Sequence, residues 1–394
     1  MLAFAVFPSP FAIASMLLAL PLILTICMSL NLLRKQDDDR RAAWTSFRLH
    51  TNFILALAIA AWWVIWNRYD HSTFASLVAS TYSQWISASL AEALLFWMPP
   101  LIMLGVFLFV GNLITRHIFA QKWTIIQTIW QSGWQLISFA VPLLMVTRGF
   151  ERLLEGRFGG FLWLLGAGII ARVGTGFLRF AQGMRWNQLR TGEIRNRALA
   201  VARRMEVPLQ RVFMVPAGKG HLTNAYGMSD AIGVTDNLGK YLTKAQLDFV
   251  LSHEVAHVKL KHARKSLLVA LASYSAVALL LLFIRREAAP IRPWLEIFAI
   301  IAPLICIYYA SRKFEFSADH EAAKSTGEPE TAIIALLNLS AARQLPVATS
   351  RFTALFMTHP TLAQRISAIA DSGSLRAEHL SDALRRAHVA IAPR

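Results

Sequence analysis

Charged residues are scarce in this chain, and cysteine is almost absent. Only 16% of the 394 residues are Asp, Glu, Lys or Arg, whereas soluble globular chains carry about 25%. That shortage argues against a soluble domain with a fully polar surface. The two cysteines, Cys27 and Cys306, are too few for a disulfide framework and are not spaced as a metal site. Both lie in apolar segments and read as small buried apolar side chains. There is no internal repeat and no low-complexity linker. The formal net charge is +17, but no nucleic-acid-binding motif accompanies it, so nucleic acid is not an expected partner.

What the chain has in abundance is apolar sequence, 55% of its residues. Seven stretches come near the roughly 20 residues needed to cross a bilayer. They lie at about 11–33, 50–67, 94–115, 124–147, 158–181, 266–284 and 294–310. The first has no basic n-region and is too long for a cleaved signal peptide, so it reads as a retained helix. Arg34, Lys35, Arg40, Arg41 and Arg48 follow the first stretch, and Arg116 and Lys122 follow the third. Arg185, Arg190, Arg195, Arg197, Arg203, Arg204 and Arg211 follow the fifth, while the loop 68–93 holds only Arg68. The positive-inside rule then puts the N-terminus outside and the region after the fifth stretch in the cytoplasm. The expected architecture is mainly α: a multi-pass integral protein of the cell or inner membrane, with about seven transmembrane helices and lipid as one partner. Residues 1–182 form the N-terminal membrane region, and 183–394 form a domain interrupted by the last two membrane helices.

Residues 183–265 are polar and mixed. Residues 193–205 are patterned as an amphipathic helix, and Val212–Val215 and Ile232–Thr235 as short strands bordered by Gly or Pro. Thr243-Lys-Ala-Gln246 is a capping box, opening a helix expected to run to about His262. Residues 311–325 and 329–343 read as further helices with Gly327 and Pro329 between them, and 360–371 as a third.

The capped helix contains His253-Glu-Val-Ala-His257, an H-E-x-x-H motif. Residues four apart on a helix share a face, so His253 and His257 can aim ring nitrogens at one Zn²⁺. Glu254, beside the first ligand, is placed to act as general base toward a water activated there. A catalytic zinc takes a third protein ligand. Glu315 and Asp319 share one helix face, so one can bind metal while the other orients a ligand histidine. The alternative for that pair is a solvated acidic face paired with Arg312 or Lys313.

With Glu315-Phe-Ser-Ala-Asp319 following His253-Glu-Val-Ala-His257 after two membrane helices, the sequence resembles the M48 metalloproteases. That family includes the Ste24-type CAAX prenyl proteases and the bacterial heat-shock protease HtpX. Thr223-Asn-Ala-Tyr-Gly227, Ile232-Gly-Val-Thr-Asp-Asn-Leu238 and His359-Pro-Thr-Leu-Ala-Gln-Arg-Ile366 carry the resemblance further, over residues 207–370. It implies a small α+β gluzincin-like protease domain with one zinc ion per chain and a protein or peptide substrate. It also implies Glu315 as third ligand and Asp319 as its partner behind the histidines. Asn224 and Ala225 then lie on an edge strand that pairs with the substrate backbone. His359 donates to the developing oxyanion, and Arg365 holds nearby carboxylates or substrate. The alternative for these last two is a helix N-terminus marked by His-Pro and a surface arginine.

Two readings of function follow within this chemistry: cleavage of membrane-associated or lipidated protein tails, and quality-control cleavage of misfolded membrane proteins. Outside it stand a non-catalytic zinc-binding receptor or scaffold and a transporter. In the membrane region, Gln127, Gln131 and Gln135 form one polar face, and Arg172 and Arg179 share another. These either line a hydrated chamber or make interhelical hydrogen bonds, with Arg179 reaching the interface. Gly159, Gly160, Gly166, Gly168, Gly174 and Gly176 point to close helix packing, and Trp62, Trp63 and Trp66 to an aromatic belt.

Overall fold

The computed structural model describes residues 10–35, 47, 50–55, 57–59, 61–62, 80, 88–118, 123–181, 186–216, 224–227, 230–284, 292–342 and 359–372. They fall in two compact units, Met1–Ala140 and Val141–Arg394. Each of the seven apolar stretches carries helix where it is described. Among the described residues, Phe96–Ile118, Ile125–Phe150 and His262–Phe283 are long and apolar enough to cross a membrane, with shorter apolar helices at Ala19–Arg34, His50–Ile59 and Gly159–Ile170.

The first unit contains α1 (Pro10–Arg34), α2 (Ala88–Ile118) and the start of α3 (Ile125–Leu154). Leu55, Ala58, Met103, Leu104 and Phe107 form one small core and Leu32, Phe47, Ile114 and Ile118 another. Pro100 has no N–H to offer the carbonyl four residues back. Trp62 fills that need: its Nε1 donates to Phe96 O at 2.9 Å. Trp62 is therefore a buried packing residue, 3% exposed, rather than part of an aromatic belt. Trp63 and Trp66 lie outside the described residues. The glutamine face resolves into separate roles. Gln127 forms a reciprocal cap with Thr124, Gln131 is buried, and Gln135 Oε1 accepts from Asn112 Nδ2 at 2.8 Å. The last is the interhelical hydrogen bond that was the alternative to a chamber.

The second unit begins with the rest of α3 and α4 (Gly159–Ala181). A Cβ at Gly160 would collide with the Gly149 carbonyl, so the small residues here serve close helix packing. The side chains of Arg172 and Arg179 lie outside the described residues. Leu20, Ile23, Leu279 and Phe283 are among many large apolar side chains exposed on the membrane helices, as a lipid-facing surface requires. Cys27 and Cys306 are exposed too. The expectation that they are buried fails because the apolar surroundings of these helices include their outward faces.

The polar region folds as expected in outline. Strands β1 (Asn187–Gln188), β2 (Arg211–Val215), β3 (Ala225–Gly227) and β4 (Ala231–Thr235) form a sheet in the order β1-β2-β4-β3. The β2–β4 pair is parallel, with Val212 opposite Ile232, and the other two pairs are antiparallel. Helix α5 (Glu193–Arg204) lies before β2. Helix α6 (Lys244–Lys259) opens on the Thr243–Gln246 capping box, with both reciprocal hydrogen bonds made. Its middle is buried, through Leu247, Phe249, Leu251, Val255 and Ala256, and it packs against α5, β3, α8 and α9.

Two boundaries differ from expectation. α6 ends at Lys259, Leu260 caps it, and Lys261 takes a left-handed φ of 54°, so α7 (His262–Ile284) starts as a new helix. The apolar stretch 294–310 and the helix 311–325 are one rod, α8 (Arg292–Thr326), because no helix breaker separates them. α9 (Pro329–Ala342) and α10 (Leu362–Ser372) are the last helices among the described residues, with Gly327 in a left-handed turn between α8 and α9.

Candidate metal centre

His253 and His257 sit one turn apart on α6, and their Nε2 atoms are 3.1 Å apart. α8 crosses this face and brings in Glu315, whose Oε2 is 3.6 Å from His253 Nε2 and whose Oε1 is 3.5 Å from His257 Nε2. These three residues form a group able to hold a metal ion. A tetrahedral Zn²⁺ bound at about 2.0–2.1 Å keeps its ligand atoms about 3.3–3.4 Å apart. The observed triangle matches that spacing, and among the described residues the group is two imidazoles and one carboxylate, the three protein ligands that a catalytic zinc takes.

Glu315 and Asp319 are 8% and 1% exposed, so they are not a solvated acidic face. Asp319 Oδ1 lies 2.9 Å from His253 Nδ1, but away from the ring's N–H axis. The same carboxylate accepts two short hydrogen bonds from Arg365, to Nε at 2.7 Å and Nη2 at 2.6 Å. Arg365 Nη1 is also 4.0 Å from Glu315 Oε2. With its side chain 16% exposed, Arg365 is a holder of carboxylates and not a surface arginine. His359 Nδ1 approaches Glu315 Oε1 at 3.1 Å, with the side chain largely exposed.

These contacts set the charges. Burial disfavours the ionised form of Glu315, yet His359 and His253 beside it hold its pKa below the ordinary carboxylate range. Burial likewise opposes ionisation of Asp319, and Arg365 outweighs it, again lowering the pKa. Burial, reinforced by neighbouring His253, pushes His257 down to about 3. Burial also opposes protonation of His253, but the Asp319 carboxylate outweighs it and raises that pKa. Ionised Glu315 and neutral His257 suit a divalent cation, which at His253 would have to displace the proton that Asp319 favours.

Glu254 faces β3. A Cβ on Gly227 would lie 2.9 Å from Glu254 O, 3.2 Å from its Oε2 and 3.3 Å from His257 Cβ, so only glycine lets the strand lie this close. β3 stands at the end of the sheet, with β4 as its one strand neighbour among the described residues. Asn224 uses both backbone groups toward β4: its O accepts from Thr235 N at 2.9 Å, and its N donates to Thr235 Oγ1 at 2.9 Å. The antiparallel alternation then turns the backbone groups of Ala225 and Gly227 to the open edge.

His253, His257, Glu315, Asp319, His359 and Arg365 thus meet at one place, with β3 reaching it through Gly227, and sequence reading missed three of its neighbours. Gly227 is one. The others are His262, whose Nδ1 lies 2.8 Å from His257 Nδ1, and Ser317, whose Oγ lies 3.1 Å from His262 Nε2. A third histidine five residues after the motif was the available signal.

Residues 188–372, which include every residue of this centre, match the family model of peptidase family M48. A protein named Protease HtpX homolog from Acaryochloris marina (strain MBIC 11017) is 30% identical over 200 residues, 42% of this chain and 67% of the relative. The chain belongs to peptidase family M48. A Protease HtpX homolog from Streptococcus thermophilus (strain CNRZ 1066) is 26% identical over 201 residues, 41% of this chain and 67% of that one. The fold is similar to the crystal structure of S. mikatae Ste24p, with a TM-score of 0.57 and 16% identity over 92% of this chain and 99% of that one. The M48 sequence similarity thus covers the metal centre, and the likeness of fold extends into the membrane helices.

Proposed function

We propose that this M48 protein is a zinc-dependent membrane endopeptidase that cleaves membrane-associated or lipidated protein substrates at the cytoplasmic face. The observation that carries the reading is the triangle of His253, His257 and Glu315 donor atoms, with Glu254 on the same helical turn. His253, His257 and Glu315 would hold the zinc, which would supply Lewis-acid chemistry by lowering the pKa of a water and polarising the scissile carbonyl. Glu254 takes the proton of the attacking water and returns it to the leaving amine. His359, exposed beside Glu315, donates to the oxygen on which charge develops. Asp319, clamped by Arg365, holds the His253 ring in place. Ala225 and Gly227 offer edge backbone groups to an extended substrate, with Asn224 contributing through its side chain. The arginine-rich segment from Arg185 to Arg211 supports the cytoplasmic orientation.

Among the described residues the group offers three protein donors, the number a catalytic zinc takes, where a structural zinc in a scaffold takes four. Quality-control cleavage of misfolded membrane proteins is the second reading, favoured by the similarity in sequence to the HtpX homologues. Presenting the purified protein with a prenylated peptide and with an unfolded membrane protein separates the two by which is cleaved.

The enzyme reading is tested by Glu254→Gln. Bound zinc stays at one per chain while peptide cleavage falls by about 10²–10⁴-fold. Equal cleavage by the variant and the wild type would defeat it.

A further inference from the structure

We propose that His262 is a positioning residue that fixes His257 in the tautomer whose Nε2 lone pair faces the metal, through a hydrogen-bond chain ending on the Phe314 carbonyl. This rests on the metal reading above.

The polarity of the chain follows from its far end. Ser317 has one O–H, and it is spent on Phe314 O at 2.9 Å. Ser317 Oγ therefore accepts from His262 Nε2 across their 3.1 Å contact. A neutral imidazole that donates through Nε2 has its lone pair on Nδ1. That Nδ1 lies 2.8 Å from His257 Nδ1, so His257 must be the donor there. With its proton on Nδ1, His257 presents an unprotonated Nε2 to the other ligands. The reverse polarity would put a proton on His257 Nε2 and close that position to a cation. Phe314 also stacks on the His262 ring, with centroids 4.7 Å apart and planes 18° from parallel, which fixes the ring plane.

The backbone break makes this contact possible. Had α6 continued, His262 would stand five residues past His257, about 140° around the helix. The turn at Leu260 and left-handed Lys261 brings the His262 ring, only 5% exposed, back onto His257. The two histidines thus have different neighbours at Nδ1: His253 faces a carboxylate clamped by arginine at 2.9 Å, off its N–H axis, and His257 meets a second imidazole tied to α8. Because Ser317 lies two residues after Glu315 on that helix, the chain also couples the position of His257 to that of the third ligand.

The test measures Zn²⁺ affinity of the full-length protein in detergent, by competition with a chromophoric chelator, beside the unfolding temperature of each metal-free form. Losing an outer hydrogen bond of this kind weakens metal binding about 10–100-fold, the drop expected for His262→Leu. His262→Asn restores an acceptor to His257 and binds zinc close to wild type. Ser317→Ala falls between. Wild-type affinity in His262→Leu overturns the inference, as does an Asn variant as weak as the Leu variant at equal stability. If His262→Leu does not fold, Ser317→Ala decides: unchanged affinity overturns the inference and a weakened one supports it. A wild-type protein that binds no zinc overturns the metal reading itself, a separate result.

Discussion

Arg365 and Asp319, 46 residues apart in sequence, are joined by two parallel hydrogen bonds of 2.6 and 2.7 Å. The pair fastens α10 to α8 directly behind His253. Removing one partner of a buried ion pair leaves the other uncompensated, at a cost of about 3–5 kcal/mol. Arg365→Ala is expected to lose stability on that scale in denaturation experiments in detergent. Arg365→Lys keeps the charge but not the fork and recovers only part. Arg365 lowers the pKa of Asp319 below its ordinary 3.8. The pair's contribution is therefore full above about pH 4 and is lost as pH falls through the folded-state value. Arg365→Ala flattens that acid limb.

Gly227 lies against the backbone of Glu254 with no room for a side chain. Gly227→Ala forces β3 away from α6, at about 1–3 kcal/mol of overpacking. The expected result is a fall in kcat/KM of about 5–150-fold if that whole cost falls on the transition state, at 1.4 kcal/mol per tenfold, with zinc content unchanged. A variant as active as wild type would show that substrate does not use this edge.

On the proposed reading, removing zinc with a chelator should lower the unfolding temperature, because His253, His257 and Glu315 come from two helices that an ion would tie together. At free zinc 100-fold above Kd the stabilisation is about 2.7 kcal/mol. Glu315→Gln should unfold at nearly the same temperature with and without zinc.

The orientation is open to a labelling experiment. With Cys27 and Cys306 replaced by Ser, Arg190→Cys puts a thiol on the exposed surface near β1. In intact cells a membrane-impermeant maleimide should not reach it, and permeabilisation should expose it. Labelling of intact cells would reverse the topology.

Local rules were enough for much of this protein. The capping box at Thr243, the strands at Val212–Val215 and Ile232–Thr235, and the helical stretches follow from periodicity and turn residues acting over a few positions. The same rules failed at Lys261, where a non-glycine residue takes a left-handed backbone, and at 310–311, where a membrane helix simply continues. They misplaced Trp62 and both cysteines because apolar character does not say whether a side chain faces lipid or protein.

By itself the sequence determined that His253 and His257 stand together, since four residues of α-helix must put them on one face. It also determined a chain rich in membrane-length apolar helices. Only the tertiary structure decided that Glu315 completes the triangle, that Arg365 clamps Asp319, and that His262 turns back onto His257. Coordination fixes distances between side chains on different helices, and those depend on how the helices cross, which no local spacing encodes.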